Sequence, residues 1–393
     1  MGDEMEFAER MSRLGTESAF EVLARAKALE AEGREIIHLE IGEPDFDTPS
    51  HIMDAACEAM RGGATHYVPS AGIPELRQVV AQEMGRTRDQ EIDPDQVVVT
   101  PGAKPIMFFT ILALGEPDKE IIYPNPGFPI YESMINFVAA KAVPIPLREE
   151  RGFRFDVDEL ADLVNERTAL IILNSPQNPT GGMLDPQDLE AIAEICVARD
   201  IPVLSDEVYD HMIYEGTFAS ISSYEGMSTA ERTILLNGFS KTYAMTGWRL
   251  GYGVMPLSMA EAVTRLMVNS NSCTCAFNQW AGIEALTGPQ DGVEEMVDAF
   301  RDRREIFVEG LDALPDVSCV SPRGAFYAFP NITATGMDSQ TCANFFMEEA
   351  GVACLSGAAF GQYGEGYLRL SYANSVENLK KALERMEKAL VNR

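Results

Sequence analysis

Histidine is scarce in this chain: His38, His51, His66 and His211 are the four present in 393 residues, and they stand far apart. Such scatter offers neither a metal-ligand pattern nor a motif for a histidine-based nucleophilic triad. The seven cysteines, Cys57, Cys196, Cys273, Cys275, Cys319, Cys342 and Cys354, also lack metal-ligand spacing, and their odd number fits reduced thiols better than a disulfide framework. No metal site is expected. Long apolar runs are missing too, so no membrane span is expected, and the N-terminal MGDEMEFAERMSR lacks the apolar core of a signal peptide. A cytoplasmic location follows as the expectation. Positive charge is equally short. The net charge is -30, and only Lys27, Lys104, Lys119, Lys141, Lys241, Lys380, Lys381 and Lys388 are lysines, the other 23 of the 31 basic residues being arginine. Nucleic acid is excluded as a partner, because its binding depends on neutralising phosphates. Acid-rich, lysine-poor surfaces suit concentrated salt, where repulsion is screened, although an ordinary acidic protein can share that composition.

What is present is a large apolar fraction, 46% of residues, in a chain long enough for two or three domains. The stretch Asn237 to Tyr252, NGFSKTYAMTGWRLGY, lies between the apolar runs Thr233–Asn237 and Leu250–Val254 and reads as a loop and short turn between two strands. Lys241 stands there among small residues, after Gly238 and Ser240 and eight positions before Arg249. In an apolar setting beside another cation, desolvation and like charge both disfavour the ammonium form, and the free amine can attack a carbonyl. That is Schiff-base chemistry.

The stretch fits the pattern S-K-x-x-x-M-x-G-x-R and resembles the lysine region of the class I pyridoxal-phosphate-dependent aminotransferases of fold type I, the group that includes the bacterial aspartate aminotransferases. The resemblance implies that pyridoxal 5'-phosphate is the cofactor, that Lys241 carries it covalently, and that Arg249, with Ser240, holds its phosphate. It extends from about Phe7 to Val391.

Along the chain, Phe20, Val22, Leu23 and Ala26 recur at helical spacing, and Ile36–Ile41 reads as a strand running into Gly42-Glu-Pro-Asp-Phe. By resemblance, the Gly42 backbone lies near the substrate carboxylate. Thr65–Arg77 resembles the segment whose tyrosine reaches a neighbouring subunit's cofactor phosphate. Tyr67 is that tyrosine, and a homodimer with shared sites is implied. Gln96–Thr100 reads as a β-branched strand, and the turn Pro101–Lys104 leads into a helix, leaving backbone N–H groups with the positive end of a helix dipole behind them. The resemblance gives Gly102, Ala103 and Lys104 to the cofactor phosphate, and Phe128 to the face of the pyridine ring. After the strand Thr168–Asn174, Ser-Pro-Gln-Asn178-Pro-Thr-Gly181 is a family signature, whose Asn178 donates to the cofactor's phenolic oxygen and helps orient the substrate.

The strand Ile201–Ser205 delivers Asp206 and Tyr209. A carboxylate against the pyridine nitrogen keeps it protonated, which lets the ring accept electrons, and that role falls to Asp206. Tyr209, one helical turn on if a helix starts there, would join Asn178. Gly366–Ala373 resembles the family's R-L-S-Y/F motif, and the resemblance gives the substrate α-carboxylate to Arg369, a bidentate task that suits its planar guanidinium.

Because these stretches recur at strand ends, the expected fold is α/β, a mainly parallel doubly wound sheet in a large domain over residues 48–290. A smaller α+β domain is expected from both termini, residues 1–47 and 291–393, beginning with a charged helix from Gly292 to about Leu314. The expected activity is transamination between an L-amino acid, aspartate favoured, and a 2-oxo acid such as 2-oxoglutarate, with Lys241, Asp206 and Tyr209 catalytic. Aromatic- or alanine-type transamination and C–S lysis on the same fold are the alternatives. The stretch Asn269–Cys275 lacks the arginine with which some relatives bind a side-chain carboxylate, and Lys104 is the candidate to replace it.

Overall fold

The computed structural model describes residues 5–393, and twelve strands form among the described residues. They are β1 (Ile37–His38), β2 (Val97–Thr100), β3 (Glu120–Asn125), β4 (Lys141–Pro146), β5 (Thr168–Asn174), β6 (Val203–Asp206), β7 (Thr233–Gly238), β8 (Gly251–Val254), β9 (Tyr327–Ala328), β10 (Val352–Ala353), β11 (Leu355–Ser356) and β12 (Leu368–Ser371). Seven make the central sheet, in the order β2-β8-β7-β6-β5-β3-β4. All neighbouring pairs from β7 to β4 are parallel, whereas β8 is antiparallel to both β7 and β2. Consequently β2 points the same way as β7, and the carboxyl ends of β2, β5, β6 and β7 share one edge with the amino end of β8.

Strand β5 shows why the sequence forms a doubly covered sheet. Its Leu170 and Ile172 join one apolar cluster and its Ile171 and Leu173 another, so both faces of a period-two strand are buried. Helices supply the covers. Among α1 (Ala19–Ala31), α2 (Ser50–Arg61), α3 (Pro74–Arg88), α4 (Lys104–Leu114) and α5 (Ile130–Phe137), the last two bring Ile106, Met107 and Met134 to the first face. Leu189, Ile192 and Cys196 of helix Pro186–Arg199 cover the second. Pro105 sits in the first turn of α4, where its missing N–H is not needed.

A further core gathers both ends of the chain. Ile37 and Leu39 meet Phe300 and Phe307 of helix Asp291–Asp312, Leu368 and Leu370 of β12, and Leu379 and Met386 of helix Val376–Val391. There β11, β12 and β9 form an antiparallel sheet, and β1 pairs in parallel with β10. Tyr209 and Met212, from the segment after β6, belong to this core as well.

Three local expectations need correction. The N-terminal helix α1 buries only Ala26 among its side chains, and Phe20 is 65% exposed. Of the strand expected over Ile36–Ile41, only Ile37–His38 is regular strand, although Leu39 still donates its N–H to Ala353 O at 3.0 Å and accepts from Ser371 N–H at 2.8 Å. No helix follows Asp206. The chain there makes tight turns, with Asp210 N–H donating to Glu207 O at 3.0 Å and Met212 N–H to Tyr209 O at 2.8 Å. Among the described residues no helix is long and apolar enough to cross a membrane, and no cluster of three His, Cys, Asp or Glu side chains could hold a metal.

Candidate active site

At the shared edge of the central sheet, where it meets the terminal core, lies a cavity of about 970 Å³. Open α/β sheets bind ligands in this place, beyond the strand carboxyl ends. Its wall includes Gly42, Ala103, Lys104, Phe128, Asn178, Asp206, Tyr209, Ser240, Lys241, Arg249 and Arg369, so eleven separately expected site residues converge. Gly102 stands just behind the wall. Its φ is +85°, and a Cβ there would lie 2.4 Å from Arg249 Nη2, so glycine is needed for the guanidinium to come this close. Tyr67 is not part of the wall; it is 89% exposed in the single chain.

Lys241 sits in the connection between β7 and β8, and its Nζ donates to the Gly42 carbonyl oxygen. Burial, and then the positive charge of Arg369, bring its pKa down from 10.5 to about 8. A substantial fraction of free amine near neutrality is what carbonyl attack and proton transfer require. Gly42 is confined for a second reason. A Cβ on it would meet Tyr327 Oη at 2.2 Å, so the strand from β1 can pass over the cavity only without a side chain.

Asp206, the last residue of β6, is buried and accepts a hydrogen bond from Tyr131 Oη at 2.5 Å. Burial pushes its carboxyl up to about 6, against the pull of Tyr131. A cationic partner would oppose that shift. Tyr209 Oη shares a 2.8 Å hydrogen bond with Tyr327 Oη, from β9. Asn178 is held from behind, its N–H donating to Asn174 Oδ1 at 3.0 Å, while its own Oδ1 accepts from Arg369 Nη1 at 3.2 Å.

Arg369 is buried between two rings, 4.6 Å from the Tyr327 centroid and 5.0 Å from that of Phe360. Nη2 donates to the Glu40 carbonyl, and Nε, although buried, has no partner. A buried guanidinium N–H without a protein partner suits an anionic acceptor. Also in the wall, Lys104 opens α4, pairs with Glu17 and lies 5.3 Å from the Phe128 ring centroid.

Sequence reasoning missed Tyr131, Tyr327, Asn174, Phe360 and Glu17. Asn174 alone carried a local signal, its place four residues before Asn178 at the end of β5.

The donor set fits pyridoxal phosphate. An amine of lowered pKa, the open N-terminus of α4 with the Arg249 guanidinium beside it, the Phe128 ring, and a buried carboxylate that favours a cation all face one space. The family model for aminotransferase class I and II matches residues 34–386. Among curated relatives, the aspartate aminotransferase of Pyrococcus horikoshii is 42% identical over 386 residues, covering 98% of this chain and 97% of that protein. Aromatic-amino-acid aminotransferase 2 of Thermococcus litoralis is 42% identical over 359 residues, covering 90% and 92%. Among solved structures, the aspartate aminotransferase from Thermus thermophilus with maleate superposes with a TM-score of 0.93 at 36% identity, covering 98% of this chain and all of that one. The chain belongs to the class I and II aminotransferases, a family that works with pyridoxal 5'-phosphate.

Proposed function

We propose that this protein transfers the amino group of an acidic L-amino acid, aspartate in the first place, to a 2-oxo acid such as 2-oxoglutarate. The observation that carries the reading is that one cavity is lined by two cations, Arg369 with its open Nε and Lys104, which starts α4 and pairs with Glu17. A dicarboxylic substrate has one carboxylate for each. The relatives named for aspartate, and the Thermus protein solved with the dicarboxylate maleate, support an acidic donor, while the equally similar Thermococcus relative keeps aromatic donors as the alternative in the test below.

Pyridoxal 5'-phosphate, when bound, supplies a ring that withdraws electrons from the substrate α-carbon. In our reading, the backbone of Ala103 and Lys104 with Gly102 behind it, together with Ser240 and Arg249, would hold its phosphate, leaving the Lys104 side chain to the substrate, and Phe128 would cover its ring. Asp206 would keep the ring nitrogen protonated, and Asn178 and Tyr209 would bind its phenolic oxygen. Arg369 grips the substrate α-carboxylate, with Asn178 Oδ1 and the two flanking rings fixing the guanidinium plane. Lys241 would hold the cofactor through its amine and, once freed, would move the substrate α-proton, a task suited to an amine whose pKa is about 8. Gly42 carries the chain past the substrate without filling its space.

We further assign residues 48–290 to a cofactor-binding domain, and residues 1–47 and 291–393 to a small domain that closes on the substrate. The working unit is a homodimer in which Tyr67 of each chain completes the partner's phosphate site. A cytoplasmic location accords with seven free thiols.

The deciding experiment is a panel of amino donors with 2-oxoglutarate, run on wild type and Lys104→Ala. An ion pair to a charged substrate group is worth roughly 2 to 5 kcal/mol in a closed site, so kcat/KM for aspartate should fall by more than about tenfold while that for alanine or phenylalanine barely moves. Equal losses for all donors would transfer Lys104 to the cofactor and remove the case for acidic specificity.

A further inference from the structure

Asp206, Glu207, Val208, Tyr209 and Asp210 follow one another, yet their side chains divide between two compartments. Asp206 and Tyr209 line the cavity. Glu207 and Asp210 instead meet a single guanidinium, that of Arg88 at the end of α3: Nε and Nη2 donate to Glu207 Oε2 at 3.2 and 2.7 Å, and Nη2 to Asp210 Oδ2 at 2.6 Å. Arg88 is 3% exposed, and the Phe218 ring centroid lies 5.3 Å from it. The remaining acceptors are filled. Ser205 and Ser220 hydroxyls donate to Glu207 Oε1 at 2.8 and 2.6 Å, Asn237 Nδ2 donates to Asp210 Oδ2 at 2.8 Å, and His211 Nδ1 lies 2.8 Å from Asp210 Oδ1. Burial alone would raise the Asp210 carboxyl and lower His211; His211 and Arg88 together draw the carboxyl down, while Asp210 draws the imidazole up against both burial and the repulsion of Arg88.

We propose that Arg88 is a positioning residue for the cofactor-facing carboxylate: by clamping Glu207 and Asp210 it fixes Tyr209 between them and Asp206 immediately before them, and offsets the negative charge next to Asp206. The inference rests on the assignment of Asp206 to the ring nitrogen. Because tight turns and no helix follow Asp206, the side-chain clamp supplies rigidity that a helix would otherwise give. The charged and titratable groups around Asp206 are Tyr131 from α5, Lys241 from the β7–β8 connection, and Glu207 and Tyr209 on its own segment. Of these Glu207 is the adjacent anion. With Arg88 gone, its uncompensated charge would sit on the residue next to Asp206, and the proton shared with the ring nitrogen would move to the carboxyl.

The test uses protein loaded with cofactor labelled with 15N at the ring nitrogen, whose chemical shift reports protonation, measured from acid to alkaline pH. Wild type should keep the protonated signal, and Arg88→Met should lose it, with cofactor binding weakened about tenfold, the equivalent of one pKa unit. Arg88→Met combined with Glu207→Gln should restore the protonated signal, since the charge imbalance is gone, while kcat stays low because the clamp is not rebuilt. Arg88→Lys keeps the charge without the fork, so its ring nitrogen should stay protonated while kcat falls about tenfold. An Arg88→Met protein with wild-type signal and affinity overturns the proposal. Should that variant not fold, unchanged kcat in Arg88→Lys does the same. An unprotonated ring nitrogen in the wild type would instead sink the role given to Asp206, leaving a distinguishable result.

Discussion

Replacing Asp206 by asparagine should make the cofactor-free protein more stable and the loaded protein less so. The carboxyl is buried, and burial raises its pKa from an ordinary 3.8 to about 6. Below pH 3.8 the group is protonated in folded and unfolded chains alike, and it has no effect on stability. As pH rises through the window from 3.8 to about 6, the unfolded chain releases the proton while the folded chain retains it, so stability falls. Above that window the loss is constant, at two pKa units or about 3 kcal/mol. Asparagine is never charged and still offers Tyr131 an acceptor, so it escapes the loss. With an unfolding entropy of about 2 cal/mol/K per residue, Tm of the free Asp206→Asn protein should exceed wild type by about 4 °C at pH 7, and the two should converge near pH 4. Calorimetry of both proteins, stripped of cofactor, reads this directly. Adding pyridoxal phosphate should reverse the order, since only the carboxylate can pair with a protonated ring nitrogen. A variant less stable than wild type without cofactor, or a difference that persists at pH 4, would refute the reasoning.

Lys241→Ala should abolish transamination and borohydride-trapped cofactor labelling; labelling on another lysine would move the anchor. In the wild type, the rate at which cofactor-free protein captures pyridoxal phosphate should climb with pH through about 8, as the amine is released, and a flat profile in stopped-flow absorbance contradicts the lowered pKa. Mixing Lys241→Ala with an inactive Tyr67→Ala protein should recover activity if sites are shared across a dimer. A fully active monomer in sedimentation would end that idea. Raising salt from dilute buffer into the molar range should raise Tm, because the -30 charge repels itself. A flat or falling Tm would show the charge to be harmless.

The legible parts of the sequence were those decided locally. Strand β5 coincides with the apolar run Thr168–Asn174, and the long helix expected from Gly292 to about Leu314 spans Asp291–Asp312, because burial on two faces and helical periodicity are written in neighbouring residues. Periodicity misled at Phe20 and Leu23. It reports that a helix has an apolar face and not what covers it, and these two side chains line the cavity while α1 contributes little to any core. Tyr131, Tyr327 and Arg88 escaped notice because each acts on a residue 75 or more positions away, where spacing carries no information. Glu17 belongs with them: its pairing with Lys104 spans 87 positions and puts an anion where an acidic substrate is expected to dock.

The antiparallel placement of β8 has a bearing on how the chain is made. Thr100 and Gly251 stand side by side in the sheet, yet 150 residues are synthesised between them. Until β8 emerges from the ribosome, both β2 and β7 present unpaired edges, and the Gly102 turn has no Arg249 beside it. Arg369 arrives later still. Pairings of such long range are slow to close, and exposed edges invite association with other chains. A nascent chain halted before Val254 should therefore be unable to retain pyridoxal phosphate, and cofactor capture becomes a late marker of folding that chaperone dependence can be measured against.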